Sequence, residues 1–478
     1  MTMSQQNTAK NTPKRLVVDR RGTVYTLTNK IGEGGQGVVC ATNFPNVLIK
    51  INQHKDPKKR QQWEQHIRWL MRQDLIGLQI ANPLELIVKP TACSGYVMEL
   101  MDGLESLNLM LDRSHNSLIN PESDESLAEY RATGGLRRRI LILKELAKIL
   151  SGLHGRGLAY GDLSPNNIFV SKSLENHQVW LIDCDNICVN ERRGYGDTYT
   201  PGYAAPEIIR SESGVNIATD CWSFAVIAMQ LLTHTHPFDS GIAVEDEDPE
   251  IAQEKAHRGE LPWIYDQEDD SNAWAGEGLP LSDFTANSQI TALLDRCFGA
   301  GRLDAQERPN MMEWFAALDT ASAVMLVCQN TDCTMSFFYN KSYKCPFCDH
   351  SQNQQHYLLL KHFVYLNQPE CQESHWLNCA ETMILNINEP QLLRLEPIGS
   401  TYHYDSPQLC SLTLQENGLL IEPSMDSKIQ LQQGTKLINI SRQQHLNIDS
   451  RSNVKYALHL RSKDVNHDAF HPVWRFIW

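Results

Sequence analysis

Three side chains in two short segments have the types and spacing that phosphoryl transfer needs. Tyr160-Gly-Asp162-Leu-Ser-Pro-Asn-Asn167-Ile-Phe-Val sets a carboxylate and an amide five residues apart on a loop closed by Pro165, and an apolar strand follows. Val179-Trp-Leu-Ile-Asp183-Cys-Asp185 ends a second apolar strand on another carboxylate. Moving a phosphoryl group to a hydroxyl requires a carboxylate to orient the hydroxyl and accept its proton, plus hard oxygen ligands for Mg²⁺. Asp162 suits the first task, and Asn167 and Asp183 suit the second.

Upstream, Gly32-Glu-Gly34-Gly-Gln-Gly37-Val follows one strand pattern and precedes another. Glycines let backbone amides approach phosphate oxygens closely. Such a cluster by itself is also an ordinary turn. A dinucleotide-binding fold would need a helix after the glycines, and Val-Val-Cys-Ala-Thr-Asn does not read as one. In Asn-Val-Leu-Ile-Lys50-Ile a lysine interrupts an apolar strand, so it needs an anionic partner or an exit to water. Glu64, on the following helix pattern, is the nearest carboxylate that could serve.

Cys328, Cys333, Cys345 and Cys348 form a second constellation within 21 residues. Four thiolates delivered by two short knuckles match structural Zn²⁺. The Cys-Pro-Phe-Cys half is the sharper, and no open ligand position is evident. The remaining cysteines are scattered; Cys40, Cys93 and Cys221 lie in apolar patterns, and Cys184 adjoins Asp183.

The elements that must position these groups follow from the patterning. Residues 1–14 read as a polar tail, and 15–101 as a small lobe of short strands with one helix. A polar, Gly-ended stretch over 112–135 reads as a loop. Leu136, Ile140, Leu143, Leu146, Ala147, Leu150 and Leu153 mark one face of a helix, and Ala218–Thr233 is apolar all round and therefore a buried one. These belong to a larger helical lobe over 102–320, with an acidic surface stretch at 245–270. A cysteine-bearing unit spans 325–350. Alternating apolar and polar runs over 355–478 read as a β-rich domain, a sandwich or barrel suited to interaction or regulation.

The chain has 478 residues and a net charge of −14. Most of the surplus lies before Ala321, where 43 acidic residues face 31 basic ones. That balance argues against a nucleic-acid partner. No apolar run reaches the ~18–20 residues of a membrane span, and the first residues lack the apolar region of a secretory signal, so a cytoplasmic protein with reduced thiols is expected.

Together Gly-Glu-Gly-Gly-Gln-Gly, Leu-Ile-Lys50, Gly-Asp162-Leu-Ser-Pro-Asn-Asn167 and Leu-Ile-Asp183-Cys-Asp185 resemble the eukaryotic-like (Hanks-type) protein kinases over roughly residues 16–320. The resemblance implies an α+β, bilobal fold and an ATP·Mg²⁺ enzyme that phosphorylates Ser or Thr of a protein. Gly32, Gly34 and Gly37 would cover the ATP phosphates. Lys50 would contact the α- and β-phosphates and pair with Glu64, and Met98, Glu99 and Met101 would form the adenine hinge. Asp162 would be the catalytic base, with Asn167 and Asp183 on Mg²⁺. Thr198-Tyr199-Thr200-Pro-Gly-Tyr203-Ala-Ala-Pro-Glu207 resembles the substrate groove of Ser/Thr kinases, Asp220-Cys-Trp-Ser the start of the helix that anchors the catalytic loop, and Arg308 the partner of Glu207.

Three departures stand out. Tyr160-Gly161 replaces His-Arg, which implies a non-RD kinase; Ser164 replaces Lys; and Asp183-Cys-Asp185 replaces Asp-Phe-Gly. The loop also resembles small-molecule (aminoglycoside and choline) phosphotransferases, and a nucleotide-binding pseudokinase scaffold is a third reading. Kinase, zinc ribbon and C-terminal β-domain in one chain resemble the kinase of tellurite-resistance-associated triads, which implies a metal-dependent phosphatase and a von Willebrand A-like protein as partners. Ser441-Arg-Gln-Gln-His445 is faintly similar to the phosphothreonine loop of forkhead-associated domains, with a spacing one residue too long.

Overall fold

A computed structural model describes residues 15–34, 37–118, 127–190, 199–244, 248–281, 287–339, 343–366, 376–396, 405–425, 427–462 and 470–478. The polar stretch 1–14 and Thr198 lie outside these residues, as do Gly35 and Gln36 between the glycines of the loop.

The first lobe is a closed barrel of β1 (Leu16–Asp19), β2 (Val24–Gly34), β3 (Gly37–Thr42), β4 (Val47–Asn52), β5 (Glu85–Lys89) and β6 (Gly95–Glu99), in the order 1-2-3-4-6-5. The helix α1 (Pro57–Leu70) lies between β4 and β5. Asp56 caps it by accepting from the Lys58 amide, and Pro57 takes the first-turn position where no backbone donor is needed. Its buried residues, Trp63, Ile67 and Leu70, fall at spacings of four and three and define the face that docks.

A second lobe follows through β7 (Leu104–Ser106), α2 (Leu107–Leu118), α3 (Ala128–Ala132) and α4 (Gly135–His154). Helix therefore replaces the loop expected over 112–135, at its start and again at 128–132. The cause lies before that stretch: Leu107 and Met110 are buried and commit α2 to the core, and its polar end continues the same backbone ladder. Asp162 and Asn167 lie between β8 (Leu158–Ala159) and β9 (Ile168–Ser171), and Asp183 lies between β10 (Val179–Leu181) and β11 (Cys188–Val189). After them come α5 (Pro206–Ile209), α6 (Ile217–Thr233), α7 (Pro249–His257), α8 (Ser288–Phe298), α9 (Ala300–Leu303) and α10 (Met311–Ser322).

Helix α6 is the pillar of this lobe. A capping box joins Asn216 and Thr219, and Phe224 to Met229 are all 0% exposed, as an all-round apolar helix demands. Phe224 meets Trp314 of α10 with ring centroids 5.2 Å apart, and Trp222 stacks on Phe238 at 5.5 Å. Aromatic pairs of this kind each contribute about 0.5–1.5 kcal/mol beyond their buried area.

The hairpin of β12 (Met325–Val327) and β13 (Ser336–Phe338) packs its apolar side on the helical core. The remainder forms two antiparallel sheets. The six-stranded one contains β14 (Tyr357–Leu366) and β15 (Trp376–Asn386), and the four-stranded one begins with β16 (Gln391–Arg394), β17 (Gln408–Gln415) and β18 (Gly418–Pro423). β19 (Ser427–Gln433) and β20 (Lys436–Ile440) return to the first sheet, β21 (Gln444–Asn447) joins the second, and β22 (Lys455–Ser462) and β23 (Phe470–Ile477) complete the first. One apolar cluster, including Leu358, Leu412, Leu460 and Trp474, fills the space between them. A sandwich results. Ser441–His445 spans the turn from β20 to β21, with Ser441, Arg442 and His445 exposed.

Candidate active site and candidate metal centre

The loop that carries Asp162 is held by one carboxylate. Asp220, near the start of α6 and 1% exposed, accepts the amide of Tyr160 (2.6 Å) and that of Gly161 (2.9 Å), and His154 Nε2 lies 3.0 Å away. Two neighbouring backbone donors are thereby satisfied by a buried charge, which fixes the loop that follows. The Tyr160 hydroxyl donates to the Ile182 carbonyl and ties this loop to the segment carrying Asp183.

Asp162 sits at the centre. Its Oδ1 accepts the Thr200 hydroxyl (2.8 Å), and its carbonyl accepts the Asn167 amide nitrogen (2.8 Å). That bond spends the nitrogen of Asn167, leaving its oxygen as the end available to a cation. Asp183 stands in the left-handed region at φ 57° and forms an ion pair with Lys50. Burial holds its carboxyl above the ordinary value although Lys50 pulls the other way, and Asp185 and Asp162 add to the rise. Two carboxylates meet one ammonium, and the oxygens of Asp183, Asn167 and Asp162 are of the hard type that suits a divalent cation.

Lys50 itself is buried, and its pairing differs from expectation. Nζ lies 3.0 Å from Asp185 Oδ2 and bonds Asp183; Glu64 instead bonds Arg68 at 2.6 Å. The pairing of Lys50 with Glu64 is corrected accordingly, and the reason is helix phase. Trp63 occupies the inward position of α1, and Glu64, one residue or ~100° further round, faces away. Burial by itself would lower the lysine, but Asp185 and then Asp183 raise it well above its ordinary value.

The glycines lie where β2 turns into β3. Gly34 and Gly37 are paired in register, and Gly32 opposes Val39. A Cβ on Gly37 would stand 2.5 Å from the Ile51 carbonyl oxygen, so only glycine fits there. Met98 is buried near the end of β6, Glu99 ends that strand exposed, and Met101 is half-buried just beyond it. The Leu100 amide bonds the Asn46 carbonyl at 3.0 Å and fixes the crossover between the lobes.

Arg308 reaches Glu207 through two parallel bonds of 2.7 Å, a bidentate pair, with its guanidinium 5.0 Å from the Trp222 ring centroid. Gly161 occupies the position of the missing arginine at φ 92°, where a Cβ would lie 2.7 Å from the Asn186 carbonyl oxygen. Ser164 is 0% exposed in the core beside the loop. The Cys184 thiol is fully buried, and burial raises it far above its ordinary value, which removes it from thiolate chemistry.

The four-cysteine group comes together. Among the described residues, the sulfurs of Cys328, Cys333, Cys345 and Cys348 all lie within 4.8 Å of one another, at 3.6 Å for 328–348 and 3.8 Å for 333–345. Bonds of ~2.3 Å from a tetrahedral Zn²⁺ require sulfurs about 3.8 Å apart. Burial pushes the Cys333 thiol up to about 11. Burial acts on Cys348 as well, but the His350 amide and its thiol neighbours bring it below its ordinary value. His236, Asp239 and His257 also cluster, but His236 spends both nitrogens: Nδ1 accepts the Asp239 amide (3.0 Å) and Nε2 meets the Gly202 carbonyl (2.9 Å).

The chain is similar to known proteins over the region that carries these residues. A family model described as protein kinase domain matches residues 25–317. The chain is 31% identical over 156 residues to a death-associated protein kinase related protein of Drosophila melanogaster, covering 27% of this chain and 22% of the relative. It is 37% identical over 112 residues to the serine/threonine-protein kinase PknG of Mycobacterium leprae, covering 22% and 14%. With MAP kinase-activated protein kinase 2 of Homo sapiens it shares 27% over 192 residues, 39% of this chain and 43% of the relative. These matches span less than half the length of each relative. The kinase model covers well over half of the present sequence, and the chain belongs to the protein kinase family.

Proposed function

We propose that this protein transfers the γ-phosphoryl group of ATP to serine or threonine hydroxyls of a protein, its own or a partner's. The observation that carries the reading is the Thr200 hydroxyl 2.8 Å from the Asp162 carboxylate. It places the groove-forming segment that ends in Glu207 against the residue that would take the proton. Asp162 would accept the proton of the incoming hydroxyl as the new P–O bond forms and ADP departs. Lys50 would hold phosphate oxygens, and Gly32, Gly34 and Gly37 would line the roof with amides. Asn167 and Asp183 would hold Mg²⁺, which offsets charge on the transferring group.

Further features support a non-RD kinase. Any side chain at Gly161 would collide with Asn186, so no arginine stands there to meet a phosphorylated loop. Zinc at the four cysteines is supported by sulfur spacings that match a tetrahedron. Four zinc-bound thiolates suit a reducing compartment, which supports a cytoplasmic setting. By family resemblance, a metal-dependent phosphatase and a von Willebrand A-like protein are proposed as partners.

Transfer of label from γ-labelled ATP tests the function, with protein substrates and an aminoglycoside offered in parallel. Label should appear on protein and fall at least ~100-fold in Asp162→Asn. Label on the aminoglycoside alone would make this a small-molecule kinase, and nucleotide binding without transfer would make it a scaffold.

A further inference from the structure

We infer that Asp185, two residues after the metal-ligand candidate Asp183, is the anion that positions Lys50, a task that no carboxylate on α1 performs here. Asp185 has a side chain 0% exposed, and every bond it makes points to a dedicated seat. Oδ2 lies 3.0 Å from Lys50 Nζ and accepts the Trp63 indole N–H at 2.9 Å, while Oδ1 accepts the Tyr96 hydroxyl at 2.7 Å. Tyr96 is the register partner of Lys50 across β4 and β6, and its ring stacks on Trp63 at 5.9 Å. Strand β6 and helix α1 thus each supply a neutral donor to one carboxylate, and strand β4 supplies the cation.

The local backbone explains how one short segment delivers two carboxylates to the same amine. Asp183 takes the left-handed conformation, and Cys184–Asn186 follow in a single 3₁₀ turn, which returns Asp185 to the lysine. Glycine at position 185 could not do this. The inward face of α1 offers an indole donor where a carboxylate would otherwise stand, so Glu64 is left to its surface pair with Arg68. The lysine is consequently tied to the segment that would hold the metal, and α1 enters only through Trp63. Asp185 is therefore a positioning residue acting through Lys50. Its catalytic consequence rests on the proposed phosphoryl transfer; its geometry does not.

Four full-length proteins test this: wild type, Lys50→Met, Asp185→Asn and the double variant. Lys50→Met leaves a buried carboxylate without its cation, so the melting temperature falls, by at least about 3 °C. Adding Asp185→Asn removes that stranded charge and recovers most of the loss. If Asp185→Asn leaves the Lys50→Met melt unchanged or lowers it further, the inference is overturned. This readout needs no activity, so failed transfer by the wild type would sink the proposed function alone. On activity, Asp185→Asn should lower kcat/KM for ATP at least about tenfold in the wild type, with no further loss in Lys50→Met. Glu64→Gln should change it by less than about threefold. A Glu64→Gln loss matching that of Lys50→Met, with Asp185→Asn active, would return the partner to α1.

Discussion

In the helical lobe the charged side chains taken into the interior are held by counter-ions or by backbone groups, whereas in the C-terminal sandwich the buried basic side chains, among the described residues, are histidines. Arg308 meets Glu207, Lys144 meets Asp319 at 3.2 Å, and Asp220 receives two amides. Arg139, 0% exposed, lies 3.7 Å over the Tyr130 ring and bonds the Tyr130 and Gly135 carbonyls at 3.2 and 3.0 Å. Among the described residues of the sandwich, no Arg, Lys, Asp or Glu is buried; His362, His459 and His471 are. The difference teaches what each interior is for. Paired charges fix the backbone of the catalytic loop and the groove at a steep desolvation cost, which is tolerable where position decides chemistry. The imidazoles of His459 and His471, which burial keeps from protonating, meet each other more cheaply but leave the sandwich open to acid.

The largest expected effect lies at the four-cysteine hairpin that joins these two regions. Arg131 donates to the Asp332 carbonyl at 2.6 Å, the Arg137 amide to Ser336 Oγ at 2.8 Å, and Asn386 of the sandwich to the Met325 carbonyl at 3.1 Å. Zinc in such a ribbon contributes roughly 10–16 kcal/mol of apparent binding energy. Stripping it with a strong chelator, or Cys345→Ser, should erase amide-exchange protection over 325–352 while α6 keeps its protection. Full protection in a chain that metal analysis shows to be zinc-free would remove zinc from the account and join the two regions by packing alone.

Next in size is the pair that orders the groove. Glu207→Ala strands a guanidinium whose side chain is 1% exposed, and the expected loss is about 3–5 kcal/mol in denaturant unfolding. Replacing both partners, Glu207→Met with Arg308→Met, should return most of it. If the double variant is no better than the single, the pair is not what makes this interior costly.

The sequence foretells the parts governed by local periodicity and by spacing within one loop. Leu136 to Leu153 mark α4, and Asp162 and Asn167 meet because five residues and a proline close one turn. Arg308 and Glu207 are 101 residues apart, and only family resemblance could join them. Glu64 failed for a one-residue reason: Trp63 and Glu64 are adjacent, and the periodicity of a 14-residue helix does not tell which of them faces the barrel. Asp185 was visible only as a departure, a carboxylate where glycine was expected. Its partners Lys50, Trp63 and Tyr96 come from three separate elements, so nothing local announced its role. Likewise the alternating runs after 355 announce strands, but the division into sheets of six and four depends on non-local register.

The smallest expected effect is a pH response that separates the two interiors. His459 Nδ1 and His471 Nε2 lie 2.9 Å apart, and His459 Nε2 lies 2.9 Å from Gln432 Oε1. The rings of Tyr365 and Trp376 pack against them. Burial, aided by the Arg461 charge, pulls His459 down to about 4 and His471 down to about 3. The unfolded chain then binds protons that the folded chain refuses, so stability is full above pH ~6.5 and is lost as pH falls toward 4. Glu207 carries an imprint of the same sign in a more acidic window. Burial would raise it, but Arg308 holds it below its ordinary value, so its pair weakens only as the acid range proper is entered. His66, His177 and His236 in the kinase lobes are also lowered by burial, but the large depressions belong to the sandwich. Between pH 7 and 5 the unfolding free energy should therefore drop by about 1–3 kcal/mol, and His471→Gln should remove roughly half of that slope. Ring titration of His459 and His471 near pH 6.5, followed by NMR, would mean that these imidazoles charge freely in the folded chain and that the sandwich is no more acid-sensitive than the lobe.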